Sequence, residues 1–334
     1  MGIAGAAHNR SQPQNDGREP MGTRKIFTTL VIASVLASSG TRAATSIDVA
    51  KGEAVLTLRV DGQLSIDPQG NVVDYQISTK LEPQVEKLVR RAVPGWRFKP
   101  IHLDGKPVIA QSPMRITLSA VEMAQGYKVM VDNVVFRPNT REEWEAEEAN
   151  RKDRPRISVA GEAPKPLVWI TSKTLRPPSY PSEMQRAGVE GIVLLTLRLH
   201  PDGTVAEVFA SQSSLLNVKG SPALLDRARL MLERSASAVA KRWTFAVSAE
   251  DMPSLSPEDL TVRVPVEYSM GGSSGPGKLA GQWRHEFRGP NQPAPWLPDE
   301  NATRVGVSDL NGNEILAGVS PFELSDRAII GTVL

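Results

Sequence analysis

The sequence predicts an α+β chain built from two related modules in tandem, over residues 54–137 and 178–270. Both stretches alternate apolar and polar residues with the period of two that strands require. Each sets a Pro-x-Gly turn between two strands, Pro68-Gln69-Gly70 in the first and Pro201-Asp202-Gly203 in the second. Next comes a helical stretch ending in a Trp-x-Phe pair (Trp96 with Phe98, Trp243 with Phe245), and a last strand opens near Arg115 or Arg263. Arg115 lies 19 positions after Trp96, and Arg263 lies 20 after Trp243. The turn glycine precedes the tryptophan by 26 positions in one copy and by 40 in the other, so the second carries the longer loop and helix. The pattern reads as a degenerate duplication.

Composition narrows the function classes. The 334 residues suffice for two small domains. A formal net charge of +2 gives no argument for nucleic acid or an anionic membrane. No cysteine occurs, which excludes disulfides, thiolate metal sites, a cysteine nucleophile and lipobox acylation, and fits an oxidising compartment. The four histidines (His8, His102, His200, His285) are too scattered for a ligand cluster. Asp202 and Asp226 are better explained by a turn and a helix start than by catalysis. The expectation is a protein that is no enzyme, with no catalytic residues, metal, cofactor, small-molecule substrate or nucleic acid.

Along the chain, residues 1–20 are polar and aperiodic, and translation is expected to start at Met21. Residues 21–44 have the order of a secretory signal: a basic start at Arg24 and Lys25, an apolar run over Ile26–Leu36, and small residues through Ala43-Ala44. The apolar run is shorter than the ~20 residues needed to span a bilayer as a helix. Cleavage there leaves a secreted mature protein beginning near Thr45; an uncleaved signal leaves a tethered one. After the first copy, Gly126–Arg137 is expected as one or two strands. Residues 138–177 are expected as a charged, solvated helix over Thr140–Arg156 and a proline-containing linker. Residues 271–334 open with Gly-Gly-Ser-Ser-Gly-Pro-Gly and are expected to be mostly flexible, with a short strand around Glu314–Gly318.

The second module is the more explicit. Tyr180-Pro181 is an extended lead-in, because proline keeps its predecessor out of the helical region, and Pro181–Ala187 suits a short helix stopped by Gly188. From Gly191 to His200, Val193, Leu195, Leu197 and Leu199 share one face, with Ile192, Leu194, Thr196 and Arg198 on the other. Pro201-Asp202-Gly203 closes a hairpin into Thr204–Ser211. Ser221–Arg242 reads as a helix with Ser221 at its N-cap, Pro222 in its first turn, and an apolar stripe of Leu225, Ala228, Met231 or Leu232, Ser235 and Val239. Trp243 and Phe245 are expected in the core. Thr261–Tyr268 alternates, with Val262, Val264, Val266 and Tyr268 inward and Arg263, Pro265 and Glu267 outward. Pro265 lacks the N–H that a ladder needs, which predicts an edge strand, either protected or available to a partner strand.

The run from Tyr180-Pro181 through Gly188, Gly191, Pro201-Asp202-Gly203, Leu224-Leu225-Asp226 and Trp243-Thr244-Phe245 to Val264-Pro265-Val266 resembles the C-terminal domain family of TonB. About ninety residues are covered, with the landmarks in order. The resemblance implies a small antiparallel three-stranded sheet with helices packed on one face. It also implies that the last strand takes up the extended TonB box of an outer-membrane receptor as an added strand. Carried over, the site is the lead-in Tyr180-Pro181 and the edge strand Val262, Arg263, Val264, Pro265, Val266, Glu267 and Tyr268. The first copy matches only at its turn, its Trp-x-Phe segment and its last strand. A motor-coupled transducer also needs a persistent membrane helix and a spacer across the periplasm, and the 27 steps from Arg154 to Pro181 reach only about 84 Å as polyproline helix. The implied function is peptide capture in support of transport across the outer membrane. Anchored energy transduction and edge-paired homodimerisation are the alternatives.

Overall fold

The structure, a computed structural model, describes residues 54–137, 157–159, 168–218, 220–249, 255–270, 280–297, 304–312, 314–317 and 320–334. The leader over 1–20, the signal over 21–44, the charged helix over Thr140–Arg156 and the glycine-rich start of the tail lie outside the described residues.

In the first half, β1 (Ala54–Ile66) turns into β2 (Val72–Ile77). Asp67 shapes the turn by accepting hydrogen bonds from the Gln69 and Asn71 amides. α1 (Pro83–Ala92) buries Val85 and Val89, and Trp96 and Phe98 join them in the core. The chain continues through a hairpin of β3 (Ile101–Leu103) and β4 (Lys106–Pro107), then β5 (Ala110–Met123) and β6 (Gly126–Phe136). β1 is central, with β2 on one side and β5 on the other, all antiparallel. β6 is a single strand and pairs with the far edge of β5.

The second half has the same strand order. α2 (Ser182–Arg186) leads to β9 (Gly191–Leu199), which pairs antiparallel with β10 (Val205–Leu215) and with β12 (Thr261–Tyr268). Between them, α3 (Pro222–Ala240) packs against β9 and β10. Its buried face is Leu225, Ala228, Leu232, Ala236 and Val239: Leu232 rather than Met231, and Ala236 in place of Ser235, whose hydroxyl donates to the Ser179 carbonyl. Ser221 occupies the N-cap position without a side-chain capping bond, and Pro222 opens the helix.

One contact is common to both halves. Gly70 (φ 80°) and Gly203 (φ 85°) lie in the left-handed region. The carbonyl of each accepts from the phenylalanine of the Trp-x-Phe pair, at 2.9 Å from the Phe98 amide and 2.8 Å from the Phe245 amide. A Cβ on Gly70 would sit 1.9 Å from the Phe98 carbonyl oxygen, and one on Gly203 would sit 2.0 Å from that of Phe245. Only glycine allows the turn to dock so closely.

Three expectations are corrected. The segment 138–177 is not helix and linker throughout, since it holds β7 (Ile157–Val159), paired with β3, and β8 (Val168–Thr174), paired with β11 (Thr244–Ala249). Val168-Trp169-Ile170-Thr171 is β-branched and aromatic, and that preference outweighs the neighbouring prolines. Second, the described parts of the tail are structured. β13 (Arg284–Arg288) pairs with β1 on one side and β10 on the other, so the two expected sheets merge into one of nine strands among the described residues. Its charges are paired: the Arg288 guanidinium grips Asp132 at 2.6 and 2.9 Å, and Ser308 donates to the buried Glu286, which also pairs with Arg284. Burial works against the Glu286 charge, but Arg284 and Arg288 hold its carboxyl below the usual carboxylate range.

Third, the sheet face opposite α3 is covered. Ile192 and Leu194 pack with Val135 and with Val305, Val307, Leu310 and Leu316 of the tail. Pro265, expected outward, is buried as well. Within this cover Asp309 accepts hydrogen bonds from Thr117 (2.5 Å), Asn133 (2.6 Å) and the Gly306 amide (2.6 Å). β14 (Leu316–Ala317) then reaches β12, inside the range where a short strand is expected.

Candidate functional site

Among the described residues, β12 is paired along the whole of one edge and at only two positions of the other. Its ladder with β9 runs without interruption from Thr261 opposite Arg198 to Tyr268 opposite Gly191. On the other edge β14 pairs at two positions, Ala317 with Val262 and Leu316 with Arg263. Among the described residues nothing pairs with Val264–Tyr268 on that side. Such a stretch presents unpaired backbone groups, which is the template for an added strand. Pro265 removes one donor from the ladder.

Val262, Val264, Val266 and Tyr268 are buried toward α3. Tyr268 stacks edge-on against Tyr180, ring centroids 5.3 Å apart, and donates its hydroxyl to the Leu232 carbonyl at 3.0 Å. Tyr180 donates to the Val189 carbonyl, and Trp243 holds the lead-in by donating to the Arg176 carbonyl at 2.8 Å. Burial pushes the Tyr268 phenol up to about 12, so it stays a protonated donor at neutral pH. Gly191 faces Tyr268 where a Cβ would meet the Ser214 carbonyl at 2.8 Å and Leu232 at 2.9 Å.

On the opposite face Arg263 and Glu267 are half-buried. Burial pulls the Arg263 guanidinium pKa down and pushes the Glu267 carboxyl up. The Arg263 side chain has no hydrogen-bond or ion-pair partner among the described residues.

The structure thus brings Tyr180 and Pro181 to the Tyr268 end of the strand. Pro201, Asp202 and Gly203 lie at the far end of the β9–β10 hairpin, where Asp202 accepts hydrogen bonds from Thr204 and Gly203 docks on Phe245. They shape the module and are not at its open edge. Sequence reasoning missed what holds β14: Glu314 pairs with Arg115 at 2.6 Å, and Arg115 also pairs with Asp61 at 2.5 Å. Among the described residues no His, Asp and Glu cluster could hold a metal ion, and no helix is long and apolar enough to cross a membrane.

Comparison with known proteins gives a likeness to Protein TonB of two strains of Xanthomonas campestris pv. campestris, B100 and ATCC 33913, each 33% identical over 103 residues. The likeness is TonB-like and distant. It covers 31% of this chain and 39% of each relative's own length. No family model matches the chain, and no solved structure matches it.

Proposed function

We propose that this is a periplasmic, TonB-like binding protein of the cell envelope and not an enzyme. In this reading the open edge of β12 captures an extended peptide of an outer-membrane receptor by strand addition, in support of transport across the outer membrane. One observation carries it: Val264–Tyr268 pair with β9 on one side and with no described strand on the other. Main-chain hydrogen bonds along this stretch supply affinity, and alternate side chains set register. The distant TonB likeness and the shared strand order of the two halves support a tandem in which only the second copy binds.

The test is an NMR titration of the chain with TonB-box peptides. Amides of Val264, Val266, Glu267 and Tyr268 shift on binding, while those of β5 do not; unmoved β12 amides sink the reading. The same open edge favours a second reading, an edge-paired homodimer. Size-exclusion chromatography with light scattering, showing a dimer that the peptide dissociates or a monomer throughout, separates the two.

A further inference from the structure

We propose that β14 is the chain's own occupant of the capture edge, a strap that an incoming peptide displaces. This rests on the reading of β12 as the capturing strand. β14 lies on the edge a partner would use and holds the positions beside the open stretch, pairing antiparallel with Val262 and Arg263. A peptide running the length of Val262–Tyr268 and β14 cannot both pair with these two residues. The strap has two anchors. Leu316 is buried with Ile192, Leu194, Val305 and Val307, and Glu314 is tied to Arg115 of the first half at 2.6 Å while accepting from the Asn311 amide at 3.1 Å.

The strength of this arrangement suits a competitor. Two ladder positions alone hold little, since short strand pairs are marginal in water. The buried leucine and the half-buried ion pair make the contact persistent without making it permanent. Because the strap is part of the chain, it competes at high effective concentration, and the peptide's apparent affinity falls by the fraction of molecules whose edge is free. Arg115 is thereby a positioning residue: it acts through Glu314 and sets how firmly the first half holds the strap.

The experiment uses the full chain, the TonB-box peptide panel and two variants. Leu316→Pro removes the β14 amide that faces Arg263, together with the buried leucine: the Leu199 amide donates to the Leu260 carbonyl, so the alternation of the ladder turns Val262 toward β9 and Arg263 toward β14. Glu314→Gln removes the ion pair while conserving size, and covers the case in which the proline variant fails to fold. The expected result is about ten-fold tighter peptide binding in Leu316→Pro and a smaller gain in Glu314→Gln. Without peptide, the outward amide among Val262 and Arg263 loses hydrogen-exchange protection in both variants. In the unsubstituted chain, adding peptide speeds exchange at Leu316 and Ala317. Equal affinities across the three proteins, with exchange at Leu316 and Ala317 unmoved, overturn the strap and leave the capture edge standing. Absence of binding in all three proteins overturns the capture reading itself, and the strap with it.

Discussion

The two halves share a strand order, β2-β1-β5 in one and β10-β9-β12 in the other, and differ in the residues just past the last strand. After β5 the chain turns at Gly126, with φ of 108°, straight into β6, which pairs with β5 from Met114 to Met123. Residues Met114–Ala120 are therefore flanked on both sides. After β12 the sequence is glycine-rich, and the next described strand, β13, pairs elsewhere in the sheet. A local hairpin closes the first edge, and no described strand closes Val264–Tyr268. On the proposed reading, the connection leaving the last strand, rather than the module itself, decides which copy binds.

What the halves share can be broken in both at once. Gly70→Ala and Gly203→Ala each force a Cβ to within 1.9 or 2.0 Å of a carbonyl oxygen, from a backbone that disfavours side chains. Each substitution is expected to cost roughly 3 kcal/mol or more, read as a fall in the denaturant midpoint. A large loss at one glycine and none at the other would show that the shared turn is not equally structural in the two halves.

These shared features are legible in the sequence because they are local. Glycine and proline at a turn, a helix opened by Pro222, and an alternating strand at Thr261–Tyr268 write their geometry into adjacent residues. The tail does not, since β13 is the run Arg284-His285-Glu286-Phe287-Arg288, whose charges look solvated and are instead paired with Asp132, Ser308 and each other. Hydrophobic periodicity cannot find a strand stabilised in that way. β14 has only two residues, below the length at which any period exists. Two further signals are present in the sequence. The nearly unbroken apolar run of β9 marks a strand covered on both faces, as the tail covers it, and Val168–Ile170 marks β8 within what reads as a linker. Of the candidate site, Tyr180, Tyr268 and the alternation of β12 are readable, whereas its partial occupation by β14 depends on contacts near 200 positions apart, such as Arg115 with Glu314.

The edge contrast itself has a direct measurement. Hydrogen exchange should be slow for every amide of Met114–Ala120, which donate to strands on either side, and at least about ten-fold faster for the amide of Glu267, the one outward donor of Val264–Tyr268 because Pro265 has no N–H. The inward amides of β12 serve as the internal control, because they donate to β9 in the same strand. Equal protection at the two sets would mean that the β12 edge is covered in solution.

The smallest effect concerns Glu267, whose carboxyl is pushed up from 4.5 chiefly by burial, with Glu190 adding and Arg284 opposing. A carboxyl whose folded pKa is raised favours the folded state when protonated, so that contribution is complete below about pH 4.5 and is lost as pH rises through the folded value. At pH 7 the charge costs stability, though by less than about 1 kcal/mol because the group is only half-buried. Glu267→Gln should therefore melt slightly higher than the unsubstituted chain at pH 7 and no higher at pH 4. A strand added at the open edge would bury this carboxyl further, so peptide affinity should weaken from pH 5 to pH 8 in the unsubstituted chain and stay flat in Glu267→Gln. If the two affinity profiles coincide, the peptide does not lie along Glu267, and the open edge of the second half is used, if at all, from its Arg263 end.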